Sequence, residues 1–157
     1  MRKYLMGIVA LIIIEGCSLI SGQSPNVQKN VNLSGMSEEK ASTIKEALWG
    51  WNKGVDKKYF NVNGRGLYFE FENENAPYLN GLRRMAQYES WDGREKIVVF
   101  GEYNNDDLKA LMYHELGHAI GLDHNDSVES LMYPNFDVYY RPTPSPEDFE
   151  NAKRLIK

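Results

Sequence analysis

Apolar residues recur at helical spacing in three stretches of the chain. Ala41, Ile44, Ala47, Leu48 and Trp51 mark the first, with Ser37 ahead of Glu38 and Glu39 as an N-cap and Gly54 placed to close it. Ile44, Leu48 and Trp51 are expected to face inward across a sheet. Leu108, Leu111, Met112 and Ala119 mark the second. It opens on Asn104, Asn105, Asp106 and Asp107, whose side chains can cap it and complement its dipole, and it runs to about Ile120. The third carries Phe149, Ala152, Leu155 and Ile156 on its apolar face, with Ser145 as cap and Pro146 at the first helical position.

The segments between read as strands and turns. Val27, Lys29, Val31 and Leu33 alternate weakly, and residues 57–62 follow as a second strand candidate. Residues 67–71 are rich in β-formers, residues 84–88 suit a short strand, and residues 97–100 form an apolar run suited to a central strand. Turns are expected at 64–66 and 90–93, and loops at 73–81 and 123–130. Residues 131–134 read as a short apolar turn, and a Pro-rich extended segment follows at 141–146. The pattern predicts an α+β fold in a single domain over 26–157, with no internal repeat.

The N-terminus departs from this pattern. Arg2 and Lys3 precede ten apolar residues, 5–14, a run too short to span a bilayer permanently but suited to a secretory signal peptide. Ile14-Glu15-Gly16-Cys17 resembles a bacterial lipobox, with Glu15 where a small or apolar residue is usual. Two readings stand: Cys17 is lipidated and anchors the protein to a bacterial membrane, or residues 1–17 are discarded and the protein is secreted or periplasmic. Both export it, with 18–25 as a tether. Cys17 is the only cysteine, so an intramolecular disulfide is excluded. The net charge of −4, without a large basic patch, argues against a nucleic-acid partner.

The chemistry concentrates in residues 114–124, His-Glu-Leu-Gly-His-Ala-Ile-Gly-Leu-Asp-His, which hold all three histidines of the chain. His114 and His118 are four apart, so both imidazoles lie on one helix face. Gly121 permits a sharp bend, which lets His124 return toward them. Three neutral imidazoles can bind zinc and leave a fourth position for water, whose pKa then falls toward 7. Glu115 beside the first ligand suits a general base that takes a proton from the attacking water and passes it to a leaving amine. A bare histidine pair on a helix is more often structural or exposed; the third histidine and the intervening glycine shift the balance toward a metal site. Three functions remain open: a zinc endopeptidase, a zinc-bearing module that only binds peptide, and a hydrolase of another amide such as cell-wall peptide. Retention of Glu115 favours the first.

His114-Glu115-x-x-His118-x-x-Gly121-x-x-His124, with Met132 in Ser130-Leu131-Met132-Tyr133-Pro134, resembles the metzincin metallopeptidases. Gly121-Leu122-Asp123-His124, the eight-residue step to Met132, and Pro146-Glu147-Asp148 opening a final helix resemble the matrixin branch. The resemblance is specific over 105–157 and looser over 26–104. It implies a twisted mixed sheet of about five strands, two long helices (one bearing the zinc ligands) and a C-terminal helix. It implies one catalytic zinc ion on His114, His118 and His124, Glu115 as catalytic residue and Met132 as a turn packed under the metal. It also implies a peptide or protein substrate bound in extended form along Met85-Ala86-Gln87-Tyr88. Ala110, Pro134, Phe136 and Ala86 would border a pocket for a medium or large apolar side chain. A monomer is expected. Gln87 and Val99 stand where vertebrate matrixins place structural-zinc histidines, which argues against a second zinc of that kind. Pro134 stands where astacins and serralysins carry a tyrosine ligand. No cysteine-switch motif is visible. For Asp92 and Asp126, calcium ligation and plain solvated carboxylates both remain open.

Overall fold

The computed structural model describes residues 28–72, 78–79, 82–134 and 143–157. The signal and tether segments, Cys17, Asn135 and Phe136 lie outside the described residues. Strand β1 (Lys29–Val31) buries its first and third residues and pairs in parallel with β2 (Phe60–Val62). The expected strand at 57–62 is shorter than its β-formers suggest, because the preceding helix fixes where pairing starts. Asn52 donates its Nδ2 to Phe60 O at 2.9 Å, and its Oδ1 accepts from Phe60 N at 2.8 Å. The carboxamide thus holds both backbone groups of the first strand residue.

Helix α1 (Glu38–Gly54) begins on Ser37, whose Oγ accepts from Lys40 N, and buries Thr43, Ile44, Ala47, Leu48 and Trp51. It ends at Gly54 as expected, but Val55 follows at a right-handed φ of −86°, so Gly54 is no left-handed cap. A Cβ there would lie 2.0 Å from Phe149, so the glycine permits close packing of the C-terminal helix.

Strand β3 (Tyr68–Glu72) runs parallel to β7 (Arg94–Phe100), and β6 (Ala86–Trp91) pairs antiparallel on the other side of β7. Val31 bridges Leu67 in parallel; Asn32 N donates to Leu67 O at 2.8 Å, and Leu67 N donates to Asn30 O at 3.0 Å. These bonds join both ladders into one mixed sheet of order β2-β1-β3-β7-β6, with β6 the antiparallel edge strand. Residues 97–100 are central, as expected. The 84–88 strand begins later and runs longer, because Asp92 and Gly93 both adopt positive φ and close a two-residue hairpin that lets Trp91 pair with Arg94. Part of the 73–81 loop is not loop: β4 (Tyr78–Leu79) pairs antiparallel with β5 (Leu82–Arg83). Strands of two residues are too short to show alternation.

Helix α2 (Asn105–Ile120) is capped by Asn104, whose side chain accepts from Asp106 N and Asp107 N. It crosses α1, where Trp51 Nε1 donates to Tyr113 O at 3.0 Å. Helix α3 (Pro146–Leu155) starts with a capping box between Ser145 and Asp148. Its Phe149 meets Trp51 edge to face, with ring centroids 5.4 Å apart. Ala152 and Ile156 are buried, but Leu155 is exposed, contrary to the apolar face expected for it. Phe149, Ala152 and Ile156 form a stripe at i, i+3 and i+7, and Leu155 falls off that stripe. Both long helices cover the sheet face carrying Val31, Leu67, Ala86, Ile97 and Val99, which together form the main core. Among the described residues no helix is long and apolar enough to cross a membrane.

Asn52→Ala should lower stability by ~1–3 kcal/mol in urea unfolding, because two backbone groups lose their partner. Asn52→Asp, which keeps only the acceptor, should fall between alanine and wild type; equal loss in both variants would contradict this account.

Candidate metal centre

His114 and His118 ride on α2, one turn apart. The helix ends at Gly121, which adopts φ +110°, ψ 15° and donates its N–H to Gly117 O and His118 O. Leu122 N also returns to Gly117 O, at 3.0 Å. This left-handed exit, easy for glycine, turns the chain back over the last helical turn. His124 therefore faces the helix it has just left.

The three Nε2 atoms converge. His114 and His124 are 3.2 Å apart at Nε2, His118 and His114 3.2 Å, and His118 and His124 3.1 Å. Three ligands on a tetrahedral zinc with Zn–N of 2.0–2.1 Å would be about 3.3 Å apart. The orientation also fits. His114 Nδ1 lies 2.7 Å from Leu131 O, and His118 Nδ1 lies 2.9 Å from Leu122 O. A carbonyl only accepts, so each Nδ1 carries the proton and each facing Nε2 offers a lone pair. Among the described residues this triad is the one group of three His, Cys, Asp or Glu side chains whose ligand atoms converge. Asp92 and Asp126 are exposed and belong to no such group.

Burial tunes the same groups. It lowers the pKa of His114 to about 3, with His118 contributing, and that of His118 to about 4. His124 is lowered too, again by burial. All three are thus neutral near pH 7, as metal ligation requires. Glu115 is 2% exposed, and burial raises its pKa to about 8 against the opposing pull of the Tyr88 backbone and the Arg84 cation. Its Oε2 has no hydrogen-bond partner among the described residues. An orphaned buried carboxylate oxygen is costly, and such atoms concentrate where chemistry needs them.

The floor of the site comes from the following turn. Met132 is buried, and a Cβ on Gly117 would lie 2.6 Å from its Sδ, so the thioether rests against helix backbone. Ser130 Oγ accepts from Met132 N at 3.0 Å and from Asn125 Nδ2 at 2.6 Å, and donates to Asp148 Oδ1 at 3.0 Å. Asp148 Oδ2 also accepts from Ser145 N and Ser145 Oγ, each at 2.8 Å. One buried carboxylate thus ties α3 to the turn that supplies both Met132 and the Leu131 carbonyl. Sequence reasoning saw Asp148 only as part of a helix opening. Its position three after the Ser145 cap hinted at the capping box, but nothing local pointed to Ser130.

The edge strand lies beside this centre. Phe100 N donates to Met85 O, so by antiparallel alternation Ala86, Tyr88 and Ser90 direct their backbone groups away from β7, to the open edge. Of the residues expected at a side-chain pocket, Ala110 and Ala86 are buried in the main core, Pro134 is half-buried, and Phe136 lies outside the described residues. Gln87 accepts from Arg84, and Val99 is buried.

Fold and triad together define a metzincin-like domain. The matrixin family profile matches residues 30–155, and the chain belongs to the matrixin family. It is 25% identical to an interstitial collagenase of Aquarana catesbeiana over 117 residues, covering 74% of this chain and 27% of the collagenase. It is 30% identical to a matrilysin of Felis catus over 94 residues, covering 59% of this chain and 33% of the matrilysin. The chain thus matches only about a third or less of these relatives' lengths. An archaemetzincin from Methanopyrus kandleri shares the fold with a TM-score of 0.55 at 14% identity, over 87% of this chain and 99% of that one.

Glu115 sets a pH dependence for the metal-free protein. Its folded pKa of about 8 lies above the ordinary 4.5, so the folded state keeps a proton that the unfolded state has lost. The resulting stability is complete below pH 4.5 and is lost as pH rises through 8. Urea unfolding of metal-free wild type and Glu115→Gln should therefore show the variant gaining on wild type between pH 5 and 8; a gap independent of pH would contradict the assignment.

Proposed function

We propose that this chain is an exported zinc-dependent endopeptidase. The observation that carries the reading is the convergent Nε2 triad beside a buried carboxyl group with one oxygen unpartnered among the described residues. A zinc ion held by His114, His118 and His124 would supply Lewis acidity, polarising the scissile carbonyl and acidifying water. The chain's own residues do the rest. Burial keeps the imidazoles neutral, and the carbonyls of Leu131 and Leu122 aim those of His114 and His118. Glu115, through Oε2, takes a proton from the attacking water and delivers it to the leaving amine. Substrate lies extended along the open edge of β6, where the outward backbone groups of Ala86 and its neighbours offer main-chain hydrogen bonds.

Finer points belong to the same reading. Ala110, Pro134, Phe136 and Ala86 border a pocket for an apolar side chain next to the cleaved bond. Residues 1–17 direct export, and lipidation of Cys17 would anchor the product to a membrane. The protein acts as a monomer on peptide or protein substrates. Matrixin membership and the retained Glu115 support hydrolysis over peptide binding alone.

The test is cleavage of an unstructured protein by the purified, zinc-loaded chain. Chelator should abolish it. Glu115→Gln should lower kcat by ~10²–10⁴-fold while binding zinc as wild type does. Undiminished cleavage by the variant would overturn the assignment, and absence of cleavage by wild type would leave a zinc-bearing peptide binder.

A further inference from the structure

The C-terminal ends of α1 and α3 meet, and both are basic. Helix α1 has Glu38 and Glu39 in its first turn and Lys53 in its last; α3 has Glu147 and Asp148 first, Lys153 and Arg154 last. Cations at helix C-termini complement the dipole, which accounts for Lys53, Lys153 and Arg154. It does not account for Lys57, Lys58 and Lys157, which lie beyond the last turns. No single stretch of the sequence is strongly basic. Folding assembles the patch: Lys57 Nζ donates to Ile156 O at 2.8 Å, which sets residues 57–58 against 153–157. Asp56 is the one acid within 53–58 and 153–157, in a chain whose net charge is −4. Lys153 pairs with Glu150, while Lys53, Lys58, Arg154 and Lys157 are exposed.

The same face shows apolar surface. Leu155 is 53% exposed, and Trp49 is 64% exposed with Lys53 Nζ 4.9 Å from its ring centre. These are two of the four large apolar side chains left exposed among the described residues. Cations set around exposed Trp and Leu suit a surface that rests on anionic lipid: the charges meet headgroups and the apolar groups enter the boundary beneath. The path of the chain agrees. Gln28, the first described residue, donates its Nε2 to Lys58 O at 2.8 Å, so the segment from Cys17 joins the fold at this face. That segment can reach at most about 40 Å. A Cβ on Gly121 would lie 3.7 Å from Leu155 Cδ1, so the surface also borders the exit of α2, three residues before His124.

We propose that the C-terminal ends of α1 and α3 form a docking surface for anionic phospholipid, which holds the metal centre beside a membrane. This draws on the export reading of the N-terminus, but it needs neither lipidation of Cys17 nor catalysis. An anchor at Cys17 would raise the local concentration of headgroups at a surface that already binds them.

Vesicle sedimentation of the full chain carrying Cys17→Ser, which removes any acyl anchor, tests it. Apolar residues 5–14 contribute alike to all vesicles, so the readout is the difference between vesicles of equal phosphatidylglycerol and phosphatidylcholine and vesicles of phosphatidylcholine alone. Affinity for the anionic vesicles should be at least tenfold higher at low salt, and the gap should close at about 1 M salt. Adding Lys53→Gln, Lys58→Gln and Arg154→Gln should reduce anionic binding at least tenfold, since each cation near such a surface contributes about fivefold. The same loss of charge placed elsewhere, Lys40→Gln, Arg65→Gln and Lys109→Gln, should leave binding near that of the parent. Leu155→Ser should weaken vesicle binding severalfold and leave binding to soluble heparin unchanged. Equal affinity for both vesicles, or equal losses in the two triple variants, overturns the proposal. Binding to heparin as tight as to anionic vesicles, with Leu155→Ser without effect on either, overturns lipid as the partner in favour of a soluble acidic polymer.

Discussion

Three imidazole nitrogens with their lone pairs facing one another, none more than 3.2 Å from the next, do not gather without being held. The holding is done from behind. Leu131 O and Leu122 O accept hydrogen bonds from Nδ1 of His114 and His118 and so fix which nitrogen faces inward. One of those carbonyls lies just past the left-handed exit of α2, and the other in the Met132 turn. Displacing either turns an imidazole away from the common point. The surrounding architecture can be read as the means of keeping these two carbonyls in place. Helix α1 locks α2 through Trp51, α3 packs on Trp51 through Phe149, and Asp148 ties α3 back to the Met132 turn through Ser130.

The same geometry explains why Glu115 is costly and kept. A carboxyl group 2% exposed, with one oxygen unpartnered among the described residues, works against stability by roughly 1–3 kcal/mol. Its burial follows from sitting one residue past His114, at the face of α2 that meets the sheet edge. The sheet is built so that the edge is β6, the single antiparallel strand beside four that run together. The face of α2 that carries the ligands and the strand edge that can accept an extended chain therefore lie side by side.

Much of the centre was legible in the sequence, because its logic is local. The four-residue step, the glycine three residues later and the third histidine lie within eleven positions, and the caps of all three helices use side chains within three residues of the backbone they serve. The central strand and the hairpin turn were legible for the same reason. What escaped was set by contacts distant in sequence. Asn52 decides where β2 begins, the Val31–Leu67 bridge merges two ladders, and Lys29 finds Glu95 across 66 residues. Ser130 and Asp148 were each visible, at the end of a loop and in a helix opening, but not as partners. Leu155 shows the converse: an apolar residue in a helix carries no address until the neighbouring surface is known.

The central claim is that three imidazoles alone are preset as protein ligands, with Glu115 beside the metal and not on it. X-ray absorption at the zinc edge of the loaded chain measures this most directly. The account predicts three imidazole nitrogens at about 2.0–2.1 Å and one further light atom from solvent, with a first shell unchanged in Glu115→Gln. A shell with only two imidazoles, or one that loses an oxygen ligand when Glu115 is replaced, would contradict it.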